Sequence, residues 1–292
     1  MDARLSAPSR RGHLLQRLLK PAPAPEPASA GDRVRFLGTA GFVLTGHGRT
    51  FVLDPYLSRP GLLATALFPL VPDEALLARE IPHADDVLVG HAHYDHALDA
   101  PIVCRQTGAR LIGSEATLNI GRAAGLPEAQ MTRADGPIRC GHATVTPLPA
   151  KHGKAVFGRV PLPGDIPKPP SWPPRVGELR HGQVYNWHLD LGDAKVLHID
   201  SAEFDDDQLA SVRADVVCLC AVGRQYRKDY TRRVVELVKP EVVIPCHWDD
   251  FSLPWGAPAR QLPGVDVDGF VAEIRSAGAR AVVLGLGQRW SW

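Results

Sequence analysis

The sequence predicts a layered α/β fold that begins near Arg33, and two observations carry this prediction. Short apolar runs of the kind found in buried strands alternate with stretches that have helix start and stop signals. The chain also has 292 residues, which is enough to bury a large core in one large domain or in two smaller ones.

The predicted strands lie on either side of a proline-rich stretch. Those before it cover residues 34–37, 41–44, 50–53, 87–89, 111–112 and 143–146. Those after it cover residues 184–190, 195–199, 216–221, 242–244 and 281–284. Gly192 and Asp193 predict a hairpin turn that joins two of the later strands.

Helix signals mark the segments 73–79, 114–124, 229–238 and 266–276. In the second of these segments Ser114 is a predicted N-cap and Gly125 a stop signal, and Pro240 ends the third. Periodicity alone does not distinguish a doubly wound sheet from another layered arrangement of these elements.

The composition fits an intracellular globular enzyme. A formal net charge of +1 argues against a general polyanion-binding surface, so nucleic acid is not an expected partner. The five cysteines are odd in number and scattered, which argues against a disulfide scaffold and favours a reducing compartment. We therefore expect a cytoplasmic protein.

Residues 1–32 predict an N-terminal arm that precedes a domain at residues 33–292. Residues 1–20 are rich in arginine and leucine, and residues 21–30 form a Pro/Ala tract. Gln16 and Arg17 interrupt the only apolar patch, so it falls short of the roughly seven residues of a secretory signal and the roughly twenty of a membrane span. We expect no transmembrane segment. The arm is either a short amphipathic helix with a semi-rigid linker or a poorly ordered tail.

The segment from His91 to His96 supplies three imidazoles and a carboxylate directly after a predicted buried strand. On such a turn His91 and His93 can converge on one ion, while Asp95 and His96 point towards a second. Neutral imidazole and carboxylate are the ligands expected for zinc and its first-row neighbours. The segment therefore predicts a metal site.

The pattern H-x-H-x-D-H resembles the signature of the metallo-β-lactamase superfamily. The superfamily also has three later metal ligands at strand ends, and His152, Asp200 and His247 match them in order and placement. The resemblance covers about residues 33 to 292. It implies an αββα sandwich, in which two mixed sheets pack face to face with helices outside.

A closer resemblance links the chain to the branch that contains ascorbate-phosphate lactonase and N-acyl phosphatidylethanolamine phospholipase D. Residues 38–42 and 51–55 look like the opening of that branch, and residues 246–250 are similar to its closing motif. The branch usually carries Gly-His where this chain has Gly38-Thr39. Substrates differ widely within the branch, so membership does not fix the reaction.

The resemblance implies two divalent ions, with zinc as the first choice and Mn²⁺ or Fe²⁺ as alternatives. His91, His93 and His152 would form one site, Asp95, His96 and His247 the other, and Asp200 would be shared. A metal-bridging hydroxide would then hydrolyse a lactone, carboxylic ester or phosphodiester bond. The expected substrate is a small molecule, with or without an anionic group. Asp95 would also orient the nucleophile.

Other residues are candidates for supporting roles. Asp54 either holds a histidine tautomer or caps an Asp-Pro turn, and His198 either supports a ligand or is satisfied within the core. Tyr94 lies inside the ligand motif and is a candidate substrate contact. Residues 159–175, which include Trp172, form either a lid over the metals or a passive loop.

Two further substrate contacts are expected outside these segments. Arg224 begins a basic stretch that is a candidate for binding an anionic group, although such runs often form only a solvated face. Trp248 follows the last candidate ligand and, with Phe251 and Trp255, is expected to form an apolar wall of the pocket.

Two other function classes stay open. A mononuclear iron dioxygenase on the same fold keeps the H-x-H-x-D-H pattern, whereas the flavin-linked di-iron proteins resemble H-x-E-x-D-H and have glutamate where this chain has His93. The second alternative is a non-catalytic metal-binding protein. The sequence does not predict an oligomeric state.

Overall fold

Two seven-stranded mixed sheets form the centre of the fold in this computed structural model, which describes residues 20–25 and 33–292. The first sheet has the strand order β14-β1-β2-β3-β4-β5-β6. Its strands are β1 Val34–Gly38, β2 Gly41–Gly46, β3 Arg49–Leu53, β4 Asp86–Leu88, β5 Arg110–Gly113, β6 Met131–Arg133 and β14 Arg289–Trp290. From β3 to β6 neighbouring strands run parallel, and from β14 to β3 they run antiparallel.

The second sheet has the order β13-β12-β11-β10-β9-β8-β7. Its strands are β7 Ile138–Cys140, β8 Ala143–Ala150, β9 Val184–Asp190, β10 Lys195–Ile199, β11 Val216–Cys220, β12 Val242–Cys246 and β13 Arg280–Ala281. The strands from β10 to β13 are parallel, and those from β7 to β10 are antiparallel. Lys195 pairs with Asp190 across the hairpin predicted at Gly192 and Asp193.

Helices cover the outer faces of the sheets. They are α1 Leu62–Leu67, α2 Glu74–Glu80, α3 Tyr94–Ala97, α4 Ala100–Thr107, α5 Glu115–Ala123, α6 Asp206–Ala210, α7 Tyr230–Val238 and α8 Val267–Ser276. Ser114 caps α5 by accepting a hydrogen bond from the Thr117 N–H, as the sequence predicts. The helices α1, α3, α4 and α6 were not predicted, because each has eight residues or fewer and gives little periodic signal.

Apolar side chains from both sheets meet in one core. Phe36 and Phe42 of the first sheet and Trp187 and Leu189 of the second are fully buried in the same cluster. A second cluster packs the other face of the first sheet, including Val52, against helices α2 to α5. These layers confirm the predicted αββα sandwich.

The structure corrects the predicted strand at residues 281–284, because sheet pairing ends at Ala281. It also adds β6, β7 and β14, which are too short for alternation to identify them. Most of the predicted arm lies outside the described residues. Of residues 20–25, Ala22 donates to the Ala259 carbonyl and Lys20 forms a 2.8 Å ion pair with Asp266, so this part lies against the domain. Among the described helices, none has the length and apolar composition needed to cross a membrane.

Candidate metal centre

The first candidate ligands follow a central strand of the first sheet. Strand β4 lies between β3 and β5, and the chain then continues through His91 and His93 into the short helix α3, which begins at Tyr94. Asp95 and His96 therefore lie in the first turn of α3. This arrangement places four candidate ligands at the carboxyl end of a parallel strand, where α/β folds commonly build sites.

Three strands of the second sheet supply the remaining candidates. His152 follows β8, Asp200 follows β10, and His247 follows β12. The structure thus brings together all seven residues that the sequence analysis assigned as metal ligands, and they line one cavity of about 150 Å³.

One group of three consists of histidines. In His91, His93 and His152 one ring nitrogen of each lies within 4.8 Å of the others. Nε2 of His91 and Nδ1 of His93 are 3.0 Å apart. Three neutral imidazoles that leave a coordination position open are typical of a catalytic zinc site.

The second group combines a carboxylate with two histidines. Oδ2 of Asp95 lies 3.3 Å from Nε2 of His247 and 3.7 Å from Nε2 of His96. Asp200 contacts both groups, because its Oδ2 is 2.6 Å from Nδ1 of His91 and 3.6 Å from Nδ1 of His96. Its Oδ1 is buried and meets no hydrogen-bond partner among the described residues. An orphaned carboxylate oxygen between clustered imidazoles fits a position that a cation would occupy.

The electrostatics favour metal-binding protonation states. Burial lowers the pKa of His91 and His96 well below the usual histidine value, and it lowers the pKa of His93 to about 4. Burial opposes ionisation of Asp95, but the neighbouring His96 and His247 outweigh it and hold the pKa of that carboxyl below its usual range. At neutral pH His91, His93 and His96 are therefore neutral imidazoles and Asp95 is a carboxylate, the forms that bind divalent metals.

Asp54 lies where a residue that orients a ligand is expected. Its Oδ1 accepts a 2.7 Å hydrogen bond from the Gly90 N–H, and its Oδ2 lies 3.0 Å from Nδ1 of His96. His198 instead donates from Nε2 to the Ala40 carbonyl at 2.8 Å and packs edge-on against Phe42. The structure therefore favours an orienting contact for Asp54 and a core role for His198.

The cavity wall contains part of the proline-rich segment. Pro161 and Leu162 line the cavity, and the Leu162 carbonyl lies 3.3 Å from Nε2 of His93. Tyr94 lines the cavity as expected, and so does Phe251. Trp172 does not, because its side chain packs against the core on the outer face of the first sheet.

Two other expected substrate contacts are placed elsewhere. Trp248 is fully buried and stacks on Phe36 with ring centroids 6.0 Å apart, so its indole belongs to the core between the sheets. Arg224 donates to the Asp266 carbonyl at 2.9 Å and lies over the Phe270 ring, so it holds the start of helix α8 instead of lining the cavity. Trp255 also lies outside the cavity wall.

A buried network behind His247 was not predicted from the sequence. The His247 N–H donates to the Thr39 carbonyl at 2.5 Å, and the Thr39 N–H donates to Asp249 at 2.6 Å. Asp249 in turn forms a 2.7 Å ion pair with Arg59, with both side chains 1% exposed. Gly38 makes room for this pair, since a Cβ there would lie 2.0 Å from the arginine. The sequence signal that could have indicated this network is the adjacent pair Asp249 and Asp250 in the closing motif.

Comparisons with known proteins show the family to which the chain is similar. A family model described as a β-lactamase superfamily domain matches residues 33–247. A UPF0173 metal-dependent hydrolase of Anaeromyxobacter dehalogenans is 30% identical over 246 residues, which cover 80% of this chain and 81% of the relative.

Two solved structures share the fold. Igni18, a metallo hydrolase of the archaeon Ignicoccus hospitalis, is 21% identical with a TM-score of 0.57, covering 87% of this chain and 95% of that one. CmlA, a diiron β-hydroxylase from Streptomyces venezuelae, is 18% identical with a TM-score of 0.56, covering 90% of this chain and 54% of that one.

Proposed function

This chain belongs to the metallo-β-lactamase superfamily and to its UPF0173 metal-dependent hydrolase family, and from that premise we propose that it is a dinuclear hydrolase of an ester-type bond. The observation that carries the proposal is the convergence of two groups of three candidate ligands in one buried cavity. Asp200, which contacts a member of each group, is the proposed shared ligand.

The candidate ligands fit two divalent ions, and zinc suits this donor set best, with manganese and iron as alternatives. Ions held there would supply a water molecule of lowered pKa as nucleophile and positive charge that stabilises the oxyanion or the leaving group. The protein orients the ligands: Asp54 fixes the ring of His96, and the Thr39 carbonyl fixes the backbone at His247.

Other cavity residues act on the substrate. The phenol of Tyr94 is protonated at neutral pH, and burial raises its pKa further, so it can donate a hydrogen bond to a substrate oxygen. Leu162 and Phe251 line the cavity with apolar surface, which would reduce the water around a bound substrate. Asp95, buried among His96 and His247, is proposed to bind metal and to orient the attacking water.

The bond that is cleaved is proposed to be a lactone, a carboxylic ester or a phosphodiester. Residues 38–42 and 51–55, which resemble the lactonase and phospholipase D branch, support this range. We also propose a cytoplasmic location, which is supported by five buried cysteines without a disulfide.

Metal content per chain, measured by element on protein purified without chelator, is the first test. We expect close to two zinc or manganese ions, together with turnover in a panel of lactones, esters and phosphodiesters. Asp95→Ala should lose at least one ion and nearly all hydrolysis. Asp135→Ala, which changes an exposed carboxylate, should keep its metal content and its hydrolysis.

Other outcomes would contradict the proposal in different ways. A single iron would favour the mononuclear dioxygenase, because the fold alone does not separate hydrolases from oxygenases. Two retained ions without turnover on any panel would favour a non-catalytic metal-binding protein. An active Asp95→Ala variant would overturn the mechanism itself.

A further inference from the structure

The metal cavity opens into a larger apolar groove. The groove has a volume of about 530 Å³ and is lined by residues that include Leu62, Val156, Phe157, Tyr226, Phe251 and Val265. It shares six lining residues with the metal cavity, namely Tyr94, Ala155, Val156, Val222, Phe251 and Leu262. The metal cavity of about 150 Å³ has room for little more than the reacting group, whereas the groove falls within the roughly 300–1,000 Å³ typical of small-molecule sites.

The groove offers apolar surface and almost no charge. Among the described residues that line it there is no lysine, arginine or histidine, and Asp250 is the one acidic residue. Oδ1 of Asp250 already accepts hydrogen bonds from the Ser252 N–H at 3.1 Å and the Ser252 hydroxyl at 2.6 Å. An anionic group in this groove would therefore find no counter-ion, and a cationic group would find only Asp250, whereas an alkyl or aryl group would contact apolar walls on most sides.

Side chains at the mouth of the groove remain apolar where water would favour polar ones. Phe157 is 93% exposed, Leu62 is 70% exposed and Val156 is 55% exposed. Phe157 lies at the tip of the loop that begins at His152, and this loop is packed tightly, since a Cβ on Gly223 would lie 2.0 Å from the Lys154 carbonyl oxygen. One loop therefore carries both a candidate metal ligand and the apolar edge of the groove. An exposed apolar patch beside a site usually marks a binding surface.

We propose that this groove binds the non-reacting part of the substrate, and that this part is an uncharged alkyl or aryl group. The inference rests on the proposed function, because it places the scissile bond in the metal cavity next to Tyr94 and Phe251. It replaces the expectation of an anionic recognition group at Arg224, which lies outside both cavities.

Chain-length dependence tests the proposal on the metal-loaded protein. In p-nitrophenyl carboxylic esters and alkyl p-nitrophenyl phosphodiesters, kcat/KM should rise roughly three- to fourfold for each added methylene, up to about eight carbons. Leu62→Ser and Phe157→Ser should flatten this dependence. The matched controls are Leu63→Ser, which changes the next exposed residue of α1, and Phe68→Ser, since neither residue lines the groove. Hydrolysis that ignores chain length would overturn the groove proposal and leave the proposed function standing.

A binding measurement separates the two proposals. Nile red should fluoresce in the groove, and 1-decanol should displace it far better than 1-butanol. In Leu62→Ser and Phe157→Ser the dye affinity should fall at least threefold, with no change in the control variants. Displacement of the dye in this order without any turnover would contradict the proposed hydrolase function and support the groove proposal. Equal dye binding in all variants would overturn the groove. Co-sedimentation of the protein with neutral vesicles is a further test. If Leu63→Ser weakens this co-sedimentation as much as Leu62→Ser does, the groove proposal is wrong and the apolar surface contacts lipid.

Discussion

Nδ1 of His96 lies 3.0 Å from Oδ2 of Asp54, and the same carboxylate accepts the Gly90 N–H at 2.7 Å. Burial raises the pKa of Asp54, and the Gly90 N–H opposes this effect by favouring the charged form. The ionised carboxylate in turn favours a proton on Nδ1 of His96. Nε2 is then left free to bind an ion. One buried acidic side chain thus determines which nitrogen a candidate ligand presents.

We predict that Asp54→Asn lowers zinc affinity at the group formed by Asp95, His96 and His247 by about 10- to 100-fold. The amide is a weaker acceptor for Nδ1–H, so the imidazole becomes a poorer ligand. Competition with a chromophoric chelator measures the affinity, and the exposed Asp135→Asn serves as the control. Unchanged affinity would show that Asp54 only caps its turn.

Gly90→Ala should displace the Asp200 carboxylate, because the added methyl group would clash with it. A methyl group at this position would lie 2.2 Å from Oδ2 of Asp200 and 3.2 Å from the Tyr185 carbonyl oxygen. We expect a loss of roughly 1–3 kcal/mol in the free energy of unfolding, as for other overpacked sites, together with reduced metal content. Urea denaturation and elemental analysis measure the two effects. Gly136→Ala, where a methyl group would meet nothing within 4 Å, should change neither.

The buried ion pair of Arg59 and Asp249 should be costly to break on one side. Asp249→Asn keeps an acceptor for the Thr39 N–H but leaves the arginine uncompensated, so we expect a loss of about 3–5 kcal/mol in the free energy of unfolding. Combining Asp249→Asn with Arg59→Met should recover part of that loss, because the uncompensated charge is then removed. A double variant less stable than Asp249→Asn would argue against this account.

Arg224→Gln tests the corrected role of this side chain. We expect the free energy of unfolding to fall by roughly 1–2 kcal/mol, because a charged hydrogen bond to the Asp266 carbonyl is lost. The kcat/KM for anionic and neutral substrates should stay the same. A selective rise in KM for anionic substrates would restore the assignment made from the sequence.

The resemblance to the metallo-β-lactamase superfamily picked out the candidate ligands, and each of them follows a strand that its apolar run predicts. Neither the resemblance nor the strand pattern predicts which side chains surround these ligands. Trp248 was expected in the pocket because it follows His247, but His247 has a φ of 55°, and the chain turns there so that the indole enters the core. The charge of Arg224 is visible in the sequence, but its ion-pair partner Glu273, 3.4 Å away in the structure, is distant along the chain. Tertiary contacts of this kind leave no local pattern.

The candidate ligands come from both sheets: the segment from His91 to His96 follows β4 of the first, and His152, Asp200 and His247 follow strands of the second. Ions bound there would clamp the two halves of the sandwich together. Separation of the sheets would then require release of the ions, so bound ions would slow the unfolding of the protein. Resistance to a protease, followed over hours at different free zinc concentrations, would therefore report metal occupancy without any substrate.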